Sequence, residues 1–163
     1  MGNRMGRKLM AYIAASFAAL ILAYYAVSVA GAAHAPSSFS VNGRTYAITA
    51  YEHTQAQLEK GLMNATVTNS TFALFYLGSP GIYPFWMKNT YYPLDIIWIN
   101  YSSARGYGTV VYVANAIPCV DYSANQSMCS LYVPNSDSNY VIEAKSGFAR
   151  LNGITVGARI SFS

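Results

Sequence analysis

Residues 85–100 read FWMKNTYYPLDIIWIN, and they place Lys88, Asn89 and Asp95 inside the most apolar and aromatic stretch of the chain outside its N-terminus. LDIIWINY at the end of this stretch and GTVVYVAN after it are β-branched and aromatic runs flanking SSARGYG, a pattern that predicts two strands joined as a long hairpin. Upstream, TFALFYL and FWM are short apolar runs separated by GSPGIYP, whose glycines and prolines force a turn. Further upstream, FSVNGRTYAITAY carries Asn42-Gly43, the preferred pair for a two-residue hairpin because both positions need positive φ. Tyr46, Ile48 and Ala50 are then expected to share one face of its second strand.

Helical signals are few. In HTQAQLEKGLM, Thr54 is placed to cap a helix, Gln57 completes a capping box, Leu58 and Leu62 stack one turn apart, and Gly61 ends the helix early. SNYVIEA reads as a strand, SGFARLNG as a short helix with Ser146 as cap and Gly153 as stop, and ARISFS as a terminal strand. The expected fold is mostly β, of sandwich or barrel-like type with one or two short helices. It occupies residues 36–163 as a single domain, since a chain of 163 residues has room for one real core.

Residues 1–35 are a different region. Arg4, Arg7 and Lys8 precede an uncharged run from Leu9 to Ala33. As a helix, that run is long enough to cross a hydrocarbon core of about 30 Å. Two readings compete, an uncleaved transmembrane anchor and a secretory signal removed near Ala33-His34-Ala35 or Ala30-Gly31-Ala32. The run is longer than a signal peptide requires, and Pro36 is a poor residue to follow a cleavage site, which favours the anchor. In both cases the basic tip stays cytoplasmic and the domain lies outside, on the membrane or secreted.

The formal charge of +4 falls to +1 when Arg4, Arg7 and Lys8 are removed, and no block of Lys or Arg remains. A nucleic-acid partner is therefore not expected. The domain is rich in Ser, Thr, Asn and Tyr and carries sequons at Asn64, Asn69, Asn100 and Asn125, which are candidate glycosylation sites on an exported chain. Such triplets also arise by chance in this composition. Cys119 and Cys129 in PCVDYSANQSMC read as a disulfide outside the cytoplasm. The competing idea, a copper or zinc site with Met128 or His53, lacks a histidine at ligand spacing, and Met63 and Met87 beside aromatics read as core filling. Neither a metal nor a cofactor is expected.

Taken together, EKGLM at 59–63, FWMKNTYYPLDIIWI at 85–99, the loop from Pro118-Cys119 to Cys129, YVIEA at 140–144 and GFARLNGITVGARI at 147–160 resemble the uncharacterised family known as domain of unknown function 192. The resemblance covers about residues 40–163 and implies a compact, mostly β fold with short helices. It implies no activity, because the family has none established. The chain departs from the pattern where the family usually has a basic residue after Gly-Leu-Met (Asn64-Ala65 here), Gly-Met before the Leu-Phe strand (Phe72-Ala73 here) and Gly-Asp-Arg near the end (Gly157-Ala158-Arg159 here).

The candidate site comprises Trp86, Lys88, Asn89, Tyr92, Asp95 and Glu143. A charge beside apolar runs needs a partner, so one reading is a structural ion pair of Lys88 with Asp95 or Glu143, with Asn89 and Thr90 tying down loop backbone. The other is a shallow ligand pocket framed by Trp86, Tyr91 and Tyr92. No Gly-x-Ser-x-Gly elbow or phosphate-cradling loop occurs, and His53 precedes a helix cap. The leading expectation is a membrane-anchored extracytoplasmic binding module for a glycan, a peptide or an envelope protein. The alternatives are an envelope-polymer hydrolase or transferase using Lys88 with Asp95 or Glu143, and a purely structural envelope component.

Overall fold

Asn42 and Gly43 take φ values of 49° and 77°. That is the backbone a two-residue hairpin requires to match strand twist, and the pair joins β1 (Ser38–Val41) to β2 (Arg44–Ala47). The computed structural model describes residues 35–120 and 129–163, and all of these but Ala35 belong to a compact unit over Pro36–Ser163. The uncharged run at 9–33 lies outside the described residues. Among those that are described, no helix is long and apolar enough to cross a membrane.

The chain continues through β3 (Ala50–Glu52), α1 (Gln55–Lys60), β4 (Phe72–Gly81), β5 (Phe85–Trp86), β6 (Leu94–Ser102), β7 (Tyr107–Ala116), β8 (Leu131–Tyr132), β9 (Ser138–Lys145), α2 (Phe148–Leu151) and β10 (Arg159–Phe162). The described residues are thus mostly β with two short helices. Eight strands form one sheet in the order β2-β1-β10-β7-β6-β9-β4-β3, and β5 pairs with β8 separately. All neighbours in the large sheet run antiparallel except β3 and β4.

The two outermost strands, β2 and β3, are separated in the chain by Ile48 and Thr49 alone. Three peptide steps span at most about 11 Å, so the edges of the sheet must approach and the sheet curls round on itself. Contacts agree, with the rings of Tyr46 on β2 and Phe72 on β4 only 5.3 Å apart. The first strand pair ends earlier than the alternation predicts: β2 stops at Ala47, and Ala50 already belongs to β3. The Ile48 amide turns instead to the Ser37 carbonyl, at 2.8 Å.

Curling gives the sheet a filled inner face and a covered outer one. Phe39, Phe72, Leu74, Ile97, Ile99 and Ile142 pack inside. On the outer face Ala73, Phe75, Ile96, Trp98 and Val141 are covered by Leu62, Val67 and Met87 from the segments after α1 and β5. β6 contributes to both, and its side chains from Leu94 to Ile99 alternate between the two cores while all are buried. Each of its large apolar side chains contributes roughly 2 kcal/mol by leaving water. Trp98 also satisfies its indole N–H by donating to the Tyr83 carbonyl at 2.9 Å.

Candidate functional site

The alternation of β6 and β9 places the two buried carboxylates on opposite faces. Asp95 shares the inner face with Ile97 and Ile99, whereas Glu143, opposite Ile96 on β6 and Ala73 on β4, opens onto the outer one. They do not converge on one site, and Lys88 cannot hold both.

Asp95 is fully engaged. Its Oδ1 accepts from Asn115 Nδ2 at 2.9 Å and its Oδ2 from the Ala149 backbone N–H at 2.8 Å. It thereby supplies an acceptor for the first turn of α2, whose N-cap, Gly147, has no side-chain cap. Ser146 does not cap that helix as the sequence suggests, because its hydroxyl accepts from Asn115 Nδ2 and its amide donates to the Pro93 carbonyl. A cap supplied from 54 residues away carries no local spacing signal.

The outer site begins with α1. Thr54 Oγ1 accepts from the Gln57 N–H and Gln57 Oε1 from the Thr54 N–H, so the capping box forms. Gly61 ends the helix with φ of 45°. A Cβ on Gly61 would lie 3.0 Å from Phe75 Cζ and 3.5 Å from Glu143 Oε2, so close approach and positive φ both require glycine here. The chain then runs over Glu143, and the Leu62 backbone N–H donates to its carboxylate. Asn64 anchors this strip, donating its N–H to the Asn89 carbonyl at 2.9 Å and accepting from Tyr91 Oη at 3.0 Å.

On the other wall, Met87 is buried while Trp86 is 36 % exposed, and the Lys88 ammonium lies 5.2 Å from the Trp86 ring centroid. Asn89 adopts φ of 51° and Thr90 closes the turn, its N–H donating to the Met87 carbonyl at 3.0 Å. Tyr92 is half-buried against the outer core. Trp86 and Lys88 are therefore brought together, Asn89 holds the turn beneath them, and Glu143 lines the same hollow as Trp86.

That hollow is a cavity of about 20 Å³ between Gly61, Leu62, Phe75, Trp86, Thr90 and Glu143. Beside it, across the Lys60–Met63 strip, a shallow open depression carries Glu52. Glu143 is buried and its Oε2 has no hydrogen-bond partner among the described residues. Burial pushes its carboxyl up to about 8, with the Glu52 carboxylate adding to the rise and the Leu62 N–H opposing it. Burial raises Glu52 as well, against Lys60 and His53. His53 itself is exposed and stacks on Tyr51, ring centroids 5.1 Å apart. Glu52 and Lys60 were not singled out from the sequence. The available signal was EKGLM itself, a charged pair leading into a glycine that only a crowded backbone needs.

Cys119 and Cys129 form a disulfide with Cα atoms 5.8 Å apart, which removes both thiolates as metal ligands. No cluster of His, Cys, Asp and Glu with metal-binding geometry occurs among the described residues, and Met128 lies outside them. Among the sequons, Asn100 Nδ2 donates to the Asp137 carbonyl at 3.1 Å and Asn69 lies exposed in a turn, while Asn125 falls outside the described residues.

The family model of domain of unknown function 192, described as an uncharacterized ACR, matches residues 39–162, and the chain belongs to that family. Among solved structures, the chain is similar to a candidate transcription regulator from Sinorhizobium meliloti 1021, with 26% identity and a TM-score of 0.61 over 77% of this chain and 90% of that one. It shares its fold with a protein of unknown function from Novosphingobium aromaticivorans DSM 12444, with 24% identity and a TM-score of 0.61 over 77% of this chain and 83% of that one. A search of curated proteins returns no match.

Proposed function

We propose that this protein is a membrane-anchored, extracytoplasmic binding module whose contact site is the Glu143 hollow and the Trp86 wall beside it. The observation that carries the reading is Glu143 Oε2, a buried carboxyl oxygen without a partner among the described residues, facing a cavity that opens beside an exposed tryptophan. Buried polar atoms in native proteins are nearly always paired, so an orphan beside a cleft is a group held for something else. The external location is supported by the basic tip and uncharged run of residues 1–35 and by the disulfide. The ligand class is a glycan, a peptide or an envelope protein.

Titrating the full chain in detergent with envelope glycans and peptides tests this reading. Trp98 is fully buried and gives a constant background, so ligand should shift the emission of Trp86 and the change should vanish in Trp86→Phe. If no envelope fraction alters that emission, the chain is a structural component instead, and ligand capture that Trp86→Ala with Glu143→Ala leaves unchanged would put the contact site elsewhere. Protease added outside intact cells should degrade the domain, and protection from it would contradict the topology.

One observation favours an enzymatic second reading, a hydrolase or transferase on envelope polymers. A carboxyl held near 8 is a proton donor at neutral pH, which is what a general acid requires. Asp95 is committed to α2 and Asn115, so this reading falls to Glu143 with Lys88. Polymer cleavage lost in Glu143→Gln would support it over simple binding.

A further inference from the structure

The surroundings of Glu143 restrict what the hollow can hold. The flanking strands offer it only Ala73 and Ile96 at its own level. The charged and titratable groups on the elements packed around it are Glu52 on β3, with His53 beside it, and Glu59 and Lys60 on the last turn of α1. Lys88 lies across Trp86. Glu59 is engaged by Gln55 Nε2 at 2.7 Å and both Glu59 and Lys60 are exposed, which leaves Glu52 as the charge that acts on Glu143.

The Leu62 N–H faces the Glu143 carboxyl, and Oε2 has no hydrogen-bond partner among the described residues. With no donor to accept from among the described residues, Oε2 is the oxygen that carries the hydroxyl in the neutral acid. A hydroxyl donor then points into a space of about 20 Å³, room for about one oxygen-sized group. A carboxylate ligand would be repelled by Glu52, and an ammonium would require Glu143 to ionise while entering past Lys60. An uncharged acceptor meets neither objection.

Resting on the binding-module reading above, we infer that this site receives the carbonyl oxygen of an uncharged amide, with Glu143 Oε2 as hydrogen-bond donor and Trp86 covering the adjoining apolar part of the ligand. A peptide bond and the acetamido group of an amino sugar both present such an oxygen.

The test follows the Leu62 amide resonance of the full chain in detergent, with N-acetylglucosamine, N-acetylalanine methylamide, glucosamine and methylamine as probes. The amide probes should shift the Leu62 signal at pH 6.5, and the stronger of the two identifies the source as sugar or peptide. Because the donor is lost on ionisation, affinity should fall about tenfold per pH unit above 8. Glu143→Gln places an N–H where the hydroxyl was and keeps an acceptor for Leu62, so it should retain binding and lose the pH dependence. Glu143→Leu should abolish binding. Failure of both amide probes to perturb Leu62, or binding by amide probes that Glu143→Leu retains, overturns the inference. Amine binding that strengthens with pH and disappears in Glu143→Gln also overturns it, while leaving the binding module intact.

Discussion

Asp95 and Glu143 stand one step apart in the register of two neighbouring strands, each only 4% exposed, and they have opposite fates. Asp95 faces inward and meets two N–H donors, one from Asn115 and one from the start of α2. Glu143 faces outward and meets only the Leu62 N–H, leaving Oε2 without a partner among the described residues. Burial is the same in both places, so burial does not mark a candidate site. What distinguishes it is whether the fold completes the hydrogen bonds of the group it buries, and at Asp95 it does.

The largest effect that would sharpen this contrast is in stability against pH. Above 4.5 an unfolded chain releases the Glu143 proton, whereas the folded chain keeps it until about 8. The unfolded state therefore binds fewer protons in that window, and this group's contribution to stability is full below 4.5, declines toward 8 and is then flat. The decline is on the order of 4 kcal/mol. Urea titrations at pH 5 and pH 9 should show it in the native chain and not in Glu143→Gln, and parallel profiles would break the comparison.

Next in size is Asp95→Ala, which strands the Ala149 and Asn115 donors and should destabilise by about 3 kcal/mol at neutral pH. Chemical denaturation checks this, and a loss near zero would mean that α2 does not depend on the carboxylate. Reducing Cys119–Cys129 frees a short loop and should cost roughly 2–3 kcal/mol, seen as a lower thermal midpoint with dithiothreitol. Smallest is Thr54→Ala, which removes one half of the capping box at the entry to the Glu143 strip and should cost about 1 kcal/mol. If α1 positions that strip, Thr54→Ala should also shift the Leu62 amide resonance.

Much of this arrangement was legible in the sequence. Asn42-Gly43, the long hairpin of β6 and β7 and the Thr54 box rest on contacts between residues close in the chain, and local chemistry specifies them. The same is true of the turn at Lys88, Asn89 and Thr90, where the Thr90 N–H donates to the Met87 carbonyl and the Thr90 hydroxyl to the Lys88 carbonyl, three and two residues back. What could not be read are the partners. Asp95 and Glu143 both invite pairing with Lys88 on composition, yet their alternation in β6 and β9 sends them to different faces once register is fixed. The donors that reach them from α2 and from Leu62 are backbone groups, which have no residue identity to recognise. Closure of the sheet likewise depends on two edges meeting across Ile48-Thr49, a consequence of strand order rather than of any motif.

The most direct measurement is the titration of the Glu143 carboxyl carbon by NMR in labelled, folded protein. The expected midpoint is about 8, so that the group is mostly protonated at pH 7. A midpoint in the ordinary range of an exposed glutamate would contradict it, because a carboxyl ionised at neutral pH would have to have found the partner that Oε2 lacks.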